Sequence, residues 1–238
     1  MPRPLFTLEP RLQLCADWVR PGVKMADIGT DHGYLPIWLA KQGKISHGIA
    51  ADIALAPLRA AQRNIGRYHA QGLVHARLSD GLAQVFPHEA DDVVIAGMGG
   101  GIVIHILTEG RSVARKVKEL ILQPQSELEE VRRFLFSENY ELLQEDMILE
   151  DGKYYPMMKV RYAPEKFVQQ PKLTDGDFLF GPMLLQAHHA VLHSYLLREQ
   201  RIQKDVLKQL AVQKQTPAIV QRTKEVEAHL QLVEQSLW

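Results

Sequence analysis

"MADIGTDHGYLP", Met25 to Pro36, is the stretch that decides how this chain is read. A hydrophobic run reaches an acid at Asp27. Gly29 and Gly33 follow four residues apart, with Thr30, Asp31 and His32 between them. A glycine turn that closes a strand ordinarily presents backbone amides to a pyrophosphate, and its fingerprint is G-x-G-x-x-G. Here Asp occupies position 31, and two carboxylates beside a pyrophosphate would repel it. A cationic ligand reverses that argument, because carboxylates at the mouth of the strand then attract.

Outward from this loop, strand-like and helix-like segments alternate. Leu12, Cys15, Ala16 and Val19 repeat at helical spacing, and Pro21-Gly22 ends that helix. "VKMADI", "HGIAADI", "LVHARL", "DVVIAGM" and "KELILQP" read as strands, with helices between most of them. Such alternation predicts an α/β fold, a parallel sheet covered by helices on both faces. Ser126 and Glu129 have the spacing of a capping box at the start of the next helix. "YELLQEDMILEDGKYYPMMKVRYA" then reads as two strands around Asp151-Gly152, a hairpin dipeptide. A parallel sheet ending in an antiparallel hairpin is typical of Rossmann-like class I methyltransferases.

That architecture gives the acids a purpose. S-adenosylmethionine carries a sulfonium and an α-ammonium and has no phosphate, so it suits an acidic loop. Asp52 closes the second strand about 25 residues after Asp27, where an acid accepts ribose hydroxyls. Helix capping is the plainer reading of the same residue. Asp80 follows the third strand, with Ser79 and Gly81 lining its turn and placed for the adenine amino group. The fourth strand opens into "AGMGGG", whose glycines allow close approach of backbone to a ligand or target.

The ordered set "DIGTDHGYLP", "SDGL", "IAGMGG" and "LILQP", followed by "FGPML" before a helical hairpin, resembles the bacterial tRNA methyltransferases acting on N1 of adenine at tRNA position 22. The likeness spans nearly the whole chain. Gly33 departs from it, since alanine is frequent there. The resemblance implies S-adenosylmethionine as donor and tRNA as partner. Its donor site would comprise Asp27, Gly29, Thr30, Asp31, Gly33, Asp52, Ile53, Ser79, Asp80, Gly81, Ala96, Gly97 and Met98. Asp31, His32 and Gly97 are the catalytic candidates. Asp31 supplies negative charge or takes a proton from N6, His32 and Tyr34 orient the base, and carbonyls around Ala96 and Gly97 accept from N6. His32 merely bonded to backbone is the plainer alternative.

The organisation expected is a donor-binding domain over 1–163, a linker over 164–182, and a coiled-coil helical hairpin over 183–238. In the last helix Ile219, Val226, Leu230, Val233 and Leu237 make a heptad-like stripe, with Thr216 as N-cap before Pro217. Two readings of the hairpin stay open, gripping tRNA or dimerising; a monomer is expected. Lys plus Arg number 28, as do Asp plus Glu, so RNA must be met by local basic patches. Candidates are Arg11, Tyr34, and the row Arg198, Arg201, Lys204 and Lys208. Arg59, Arg63 and Arg67 form another stripe, for which a solvated helix face is the plain reading.

The single cysteine, Cys15, excludes an internal disulfide and reads as a buried apolar residue. No histidine pair has metal-ligand spacing with a third ligand, so no metal is assigned. No run approaches the roughly 20 apolar residues of a membrane span, and the N-terminus has no export signal, so a cytoplasmic location is expected. A same-fold methyltransferase acting on another substrate and a non-catalytic RNA-binding module are the rival functions.

Overall fold

A computed structural model of the chain describes residues 5–169, 172–214 and 216–238. The chain divides into two compact units, Met1–Gln170 and Pro171–Trp238. In the first, α1 (Pro10–Trp18) precedes β1 (Lys24–Ile28), α2 (Tyr34–Lys41), β2 (His47–Asp52), α3 (Leu55–Arg67) and β3 (Val74–Leu78). There follow β4 (Asp92–Met98), α4 (Gly100–Glu109), α5 (Arg111–Ala114), β5 (Glu119–Pro124), α6 (Leu128–Ser137), β6 (Tyr140–Glu150) and β7 (Lys153–Tyr162). The seven strands form one sheet in the order β3-β2-β1-β4-β5-β7-β6. β1 to β5 run parallel, and β7 joins β5 antiparallel with Leu122 opposite Met158. This is the Rossmann-like methyltransferase sheet that the alternation predicts.

The strands are apolar on both faces because helices cover both. Along β4 and β5, Val93, Ile95, Leu120 and Leu122 point into one layer with Val103 and Leu107 of α4 and Val131 and Leu135 of α6. Val94 and Ile121 point the other way, onto Cys15 and Ala16 of α1, Leu35 and Leu39 of α2, and Ala61 and Ile65 of α3. Cys15 is fully buried among them, and burial pushes its thiol up to about 12. The hairpin turns at Asp151 (φ 48°) and Gly152 (φ 75°), the double left-handed geometry of a two-residue turn.

Two local readings are corrected. Ser126 and Glu129 do not cap α6, whose N-cap is Glu127 in a left-handed conformation. Ser126 and Glu127 instead reach across to α4, where the Gly101 amide donates to Glu127 Oε2 at 2.7 Å and the Gly100 amide to Ser126 Oγ at 3.4 Å. The free amides they satisfy belong to a neighbouring helix, which spacing along the chain cannot reveal. This crossing also explains the glycine at position 100, where a Cβ would lie 2.6 Å from the Ser126 carbonyl oxygen.

The stretch 164–182 is largely folded rather than a plain linker. It carries a 3₁₀ helix over Pro164–Gln169, with Gln170 and Pro171 outside the described residues, and α7 (Asp175–Phe180). A Thr174–Asp177 capping box starts α7, a signal outweighed in the sequence by the surrounding prolines and glycines. The second unit continues with α8 (Pro182–Gln186), α9 (Ala190–Ala211) and α10 (Pro217–Gln235), whose N-cap is Thr216 as expected. Leu192, Leu196 and Leu210 of α9 and Val226 and Val233 of α10 are buried, whereas Ile202 is exposed. Lys204 of α9 meets Glu234 of α10 at 2.9 Å. No helix among the described residues is long and apolar enough to cross a membrane.

Candidate active site

Between β1 and α2 the chain passes through Gly29 (φ 72°), Asp31 (φ 52°) and Gly33 (φ 72°), three left-handed residues within five. Asp is among the few side chains that tolerate that conformation, so Asp31 can stand between the glycines. The loop is fixed from outside itself. The Gly29 and Thr30 amides both donate to the Ala51 carbonyl at 2.9 Å, and the Asp31 amide donates to Asp52 Oδ2 at 3.2 Å. From α3, Asn64 Nδ2 donates to the His32 carbonyl at 2.9 Å. The Asp31 carboxylate itself points to solvent, 3.5 Å from His32 Nε2.

Asp27 ends up buried beneath this loop, accepting the Thr30 hydroxyl at 2.6 Å. Burial pushes its carboxyl up to about 6, with Asp52 reinforcing and the Thr30 bond opposing. An acid pushed above its ordinary range and set in a cleft is a functional-site candidate. Across the cleft, Gly97 (φ 79°) turns the end of β4, and its amide donates to Gln123 Oε1 at 2.9 Å.

Two adjoining cavities open here. The first, about 220 Å³, is lined among others by Asp27, Gly29, Asp31, Ala96, Gly97 and Gln125. The second, about 330 Å³, shares Arg11, Asp31, His32 and Tyr34 with the first and adds Phe6 and Tyr68. Phe6 meets Tyr34 and Tyr68 edge-on, at 4.8 and 4.9 Å between ring centroids, so the second cavity has an aromatic wall. Among the described residues no three His, Cys, Asp or Glu side chains gather as a metal-ligand set.

The family model for TrmK, tRNA (adenine(22)-N(1))-methyltransferase, matches residues 25–235. The chain belongs to this family. A tRNA (adenine(22)-N(1))-methyltransferase of Bacillus subtilis is 31% identical over 228 residues, 96% of each chain. The crystal structure of the B. subtilis m1A22 tRNA methyltransferase TrmK superposes with a TM-score of 0.87 at 30% identity, covering 98% of this chain and 99% of that one. Sp1610 of Streptococcus pneumoniae, solved in complex with S-adenosyl-L-methionine, gives a TM-score of 0.85 at 27% identity, covering 98% and 100%.

The TrmK-like cleft thus gathers Arg11, Asp27, Gly29, Thr30, Asp31, His32, Tyr34, Ala96 and Gly97 of the expected residues around one cavity. Others stand behind or beside it. Gly33 is the N-cap of α2, and Met98 packs its methyl over Gly29. Asp52 accepts the Asp31 and Ala54 amides, so it holds the loop whether or not it also meets a ribose. The Ser79 hydroxyl donates to the Gly81 carbonyl and accepts the Gln84 amide, Asp80 is exposed, and the Ile53 side chain is exposed at the head of α3. Arg11 sits with Glu9 and Glu150 at 3.5 and 3.9 Å, inside the cleft rather than on an outer basic face. On α9 of the other unit, Lys204 is held by Glu234 and Lys208 by Asp205, while Arg198 and Arg201 are exposed.

Sequence reasoning passed over Gln123, Gln125, Asn64 and the place of Phe6 and Tyr68 beside Tyr34 in the aromatic wall. A polar residue inside the buried strand "LILQP" was a signal, since β5 has no water to spend it on. Gln123 is fully buried, and its Nε2 has no hydrogen-bond partner among the described residues. Gln123→Leu removes the acceptor that fixes Gly97 and also an unsatisfied amide, so the two effects offset in stability. Its unfolding free energy is expected to stay within about 1 kcal/mol of the parent. Methyl transfer, read as initial rate at saturating donor, should drop several-fold; an unchanged rate would separate Gln123 from the positioning of Gly97.

Proposed function

We propose that this chain methylates N1 of adenine 22 in the D-loop of tRNA, within the cleft between the loop after β1 and the end of β4. The observation that carries the assignment is the pairing of a buried acid, Asp27, with a left-handed, solvent-facing acid, Asp31, on one cavity wall. The residues fit a cationic donor, since carboxylates and bare glycine backbone line the cavity where a phosphate site would present amides. S-adenosylmethionine, when bound, supplies an electrophilic methyl group on a cationic sulfur. Asp27, Gly29 and Thr30 would hold its charged end, and Asp52, Ile53, Ser79, Asp80, Gly81 and Met98 would meet its adenosyl part.

N1 of adenine has a free lone pair and needs no prior deprotonation, so the residues must align and stabilise rather than activate. As N1 takes the methyl group, that group's bond to the donor sulfur would break, leaving a neutral thioether, and the positive charge would pass from that sulfur to the base. Asp31 faces that charge, and the Ala96 and Gly97 carbonyls accept from N6. The edge of the base that carries N1 is engaged in folded tRNA, so the nucleotide is flipped out. The second cavity, with Tyr34 and His32 at its junction with the first, receives it.

In this reading Met1–Gln170 is the donor-binding unit and Pro171–Trp238 the second unit. There α9 and α10 form an antiparallel coiled-coil hairpin that grips RNA through Arg198 and Arg201. The protein works as a cytoplasmic monomer.

The test is incubation with S-adenosylmethionine and unmodified tRNA transcripts, followed by nucleoside mass spectrometry and primer extension. The expected product is 1-methyladenosine, with an extension stop in the D-loop. Donor binding without methylation of any tRNA would move the search to other acceptors.

A further inference from the structure

α3 carries three arginines, Arg59, Arg63 and Arg67, and no acid anywhere between Leu55 and Arg67. All three are exposed, and among the described residues none has an acidic partner. Elsewhere among the described residues of the same unit only Arg111 stands without an acidic partner; Arg77 is answered by Glu89, Arg115 by Glu138, Arg133 by Glu129 and Arg161 by Glu141. Like charges four residues apart lie about 6 Å from one another on a helix and oppose its formation. A fold that balances its other arginines, Arg111 excepted, yet leaves a row of three on one helix unanswered is presenting that row to an anion.

The position of α3 says which anion. Asn64, between Arg63 and Arg67 in the chain, is bonded to the His32 carbonyl in the active-site loop. Gly33 of that loop packs against Ala61, with a Cβ at Gly33 falling 3.1 Å from the Ala61 Cβ. Tyr68, directly after Arg67, lines the aromatic second cavity. The helix that carries the arginine row therefore also buttresses the catalytic loop and forms part of the wall proposed to receive the flipped base.

We infer that the outer face of α3 is a phosphate track. Arg59, Arg63 and Arg67 bind successive phosphates of the tRNA strand that delivers its nucleotide past Tyr68 into the second cavity. The inference rests on the tRNA reading above. Guanidinium groups suit it, because each makes paired hydrogen bonds to phosphate oxygens and stays charged at any working pH. Such contacts carry no sequence information; they set the position of the strand.

The test compares the parent protein with R59Q/R63Q/R67Q and with R111Q/K116Q/K118Q, an equal charge change around α5 and the start of β5. Binding of an unmodified tRNA transcript is measured across a salt series, alongside donor affinity and thermal midpoint. Glutamine keeps helix propensity, and all three positions are exposed, so the α3 variant should fold and bind donor as the parent does. Its tRNA affinity is expected to fall about tenfold or more at physiological salt. The slope of log affinity against log salt should flatten by about two units, three phosphates at roughly 0.7 each. The α5 variant should match the parent. An unchanged slope in the α3 variant, or equal losses in both variants, would overturn the track while leaving the methyltransferase reading intact. A parent protein that binds donor but neither binds nor methylates tRNA would instead remove the reading on which the track rests.

Discussion

Asp31→Asn should keep donor affinity within about twofold while lowering single-turnover methyl transfer on the order of 10²–10³-fold, the usual size of one lost electrostatic contact to a transition state. The prediction is sharp because the backbone at residue 31 is left-handed (φ 52°), a conformation that asparagine accepts as readily as aspartate. The loop should therefore keep its shape, with the residue 31 amide still on Asp52 and the His32 carbonyl still on Asn64. Only the charge is removed, and it is removed from a side chain that faces the cavity and solvent rather than the core. Asp31→Ala is the instructive contrast. It loses the same charge but also strains the turn, so its donor affinity should suffer too. The pH dependence of the residual Asp31→Asn rate separates the two roles open to this acid. A rate that recovers steeply at high pH identifies Asp31 as acceptor of the N6 proton, whereas a parallel profile assigns it charge alone. A single-turnover rate within threefold of the parent would take Asp31 out of the mechanism.

How far this site was legible depended on whether its logic ran along the chain or across it. The acid after β1, the acid after β2 and the glycines after β4 are local facts, each at a strand end, and the parallel sheet brings those ends to one edge. Asp27, Asp31, Ala96 and Gly97 were readable for that reason, and the hairpin at Asp151-Gly152 was readable from its turn chemistry. Contacts between distant segments were not. Ser126 and Glu127 cap a helix about 26 residues upstream, which no capping rule applied along the sequence finds. Gln123 serves Gly97 from a neighbouring strand, and Phe6, Tyr34 and Tyr68 become one wall only after α1, α2 and α3 pack on the same face. Ser79 and Asp80 show the converse. Their motif was legible, but the Ser79 hydroxyl is committed to its own turn, so the letters alone overstated how directly it can meet a ligand.

Asp27→Asn should push stability and donor binding in opposite directions. Burial raises the Asp27 carboxyl from 3.8 to about 6, so ionising it costs the folded protein something on the order of 3 kcal/mol. The sign follows from the raised value. The neutral acid is tolerated in full below about pH 4; its advantage is lost as pH rises towards 6, and above that the folded state carries the whole cost. Asparagine carries none of it and can still accept the Thr30 hydroxyl. The variant should therefore be more stable than the parent at pH 7–8, by about 1–3 kcal/mol, with the difference vanishing as pH falls towards 4. A cationic donor offsets the same cost in the parent, because it favours the ionised carboxylate. Donor affinity of the parent should thus weaken as pH drops below about 6, and that of Asp27→Asn should be roughly tenfold or more lower at pH 8 and flat across the window. Thermal melts and calorimetric titrations at pH 4.5, 6 and 8 read both halves. A variant less stable than the parent at pH 8 would mean that Asp27 is held by a compensating partner, and the acid would lose its place as the charge kept in reserve for the donor.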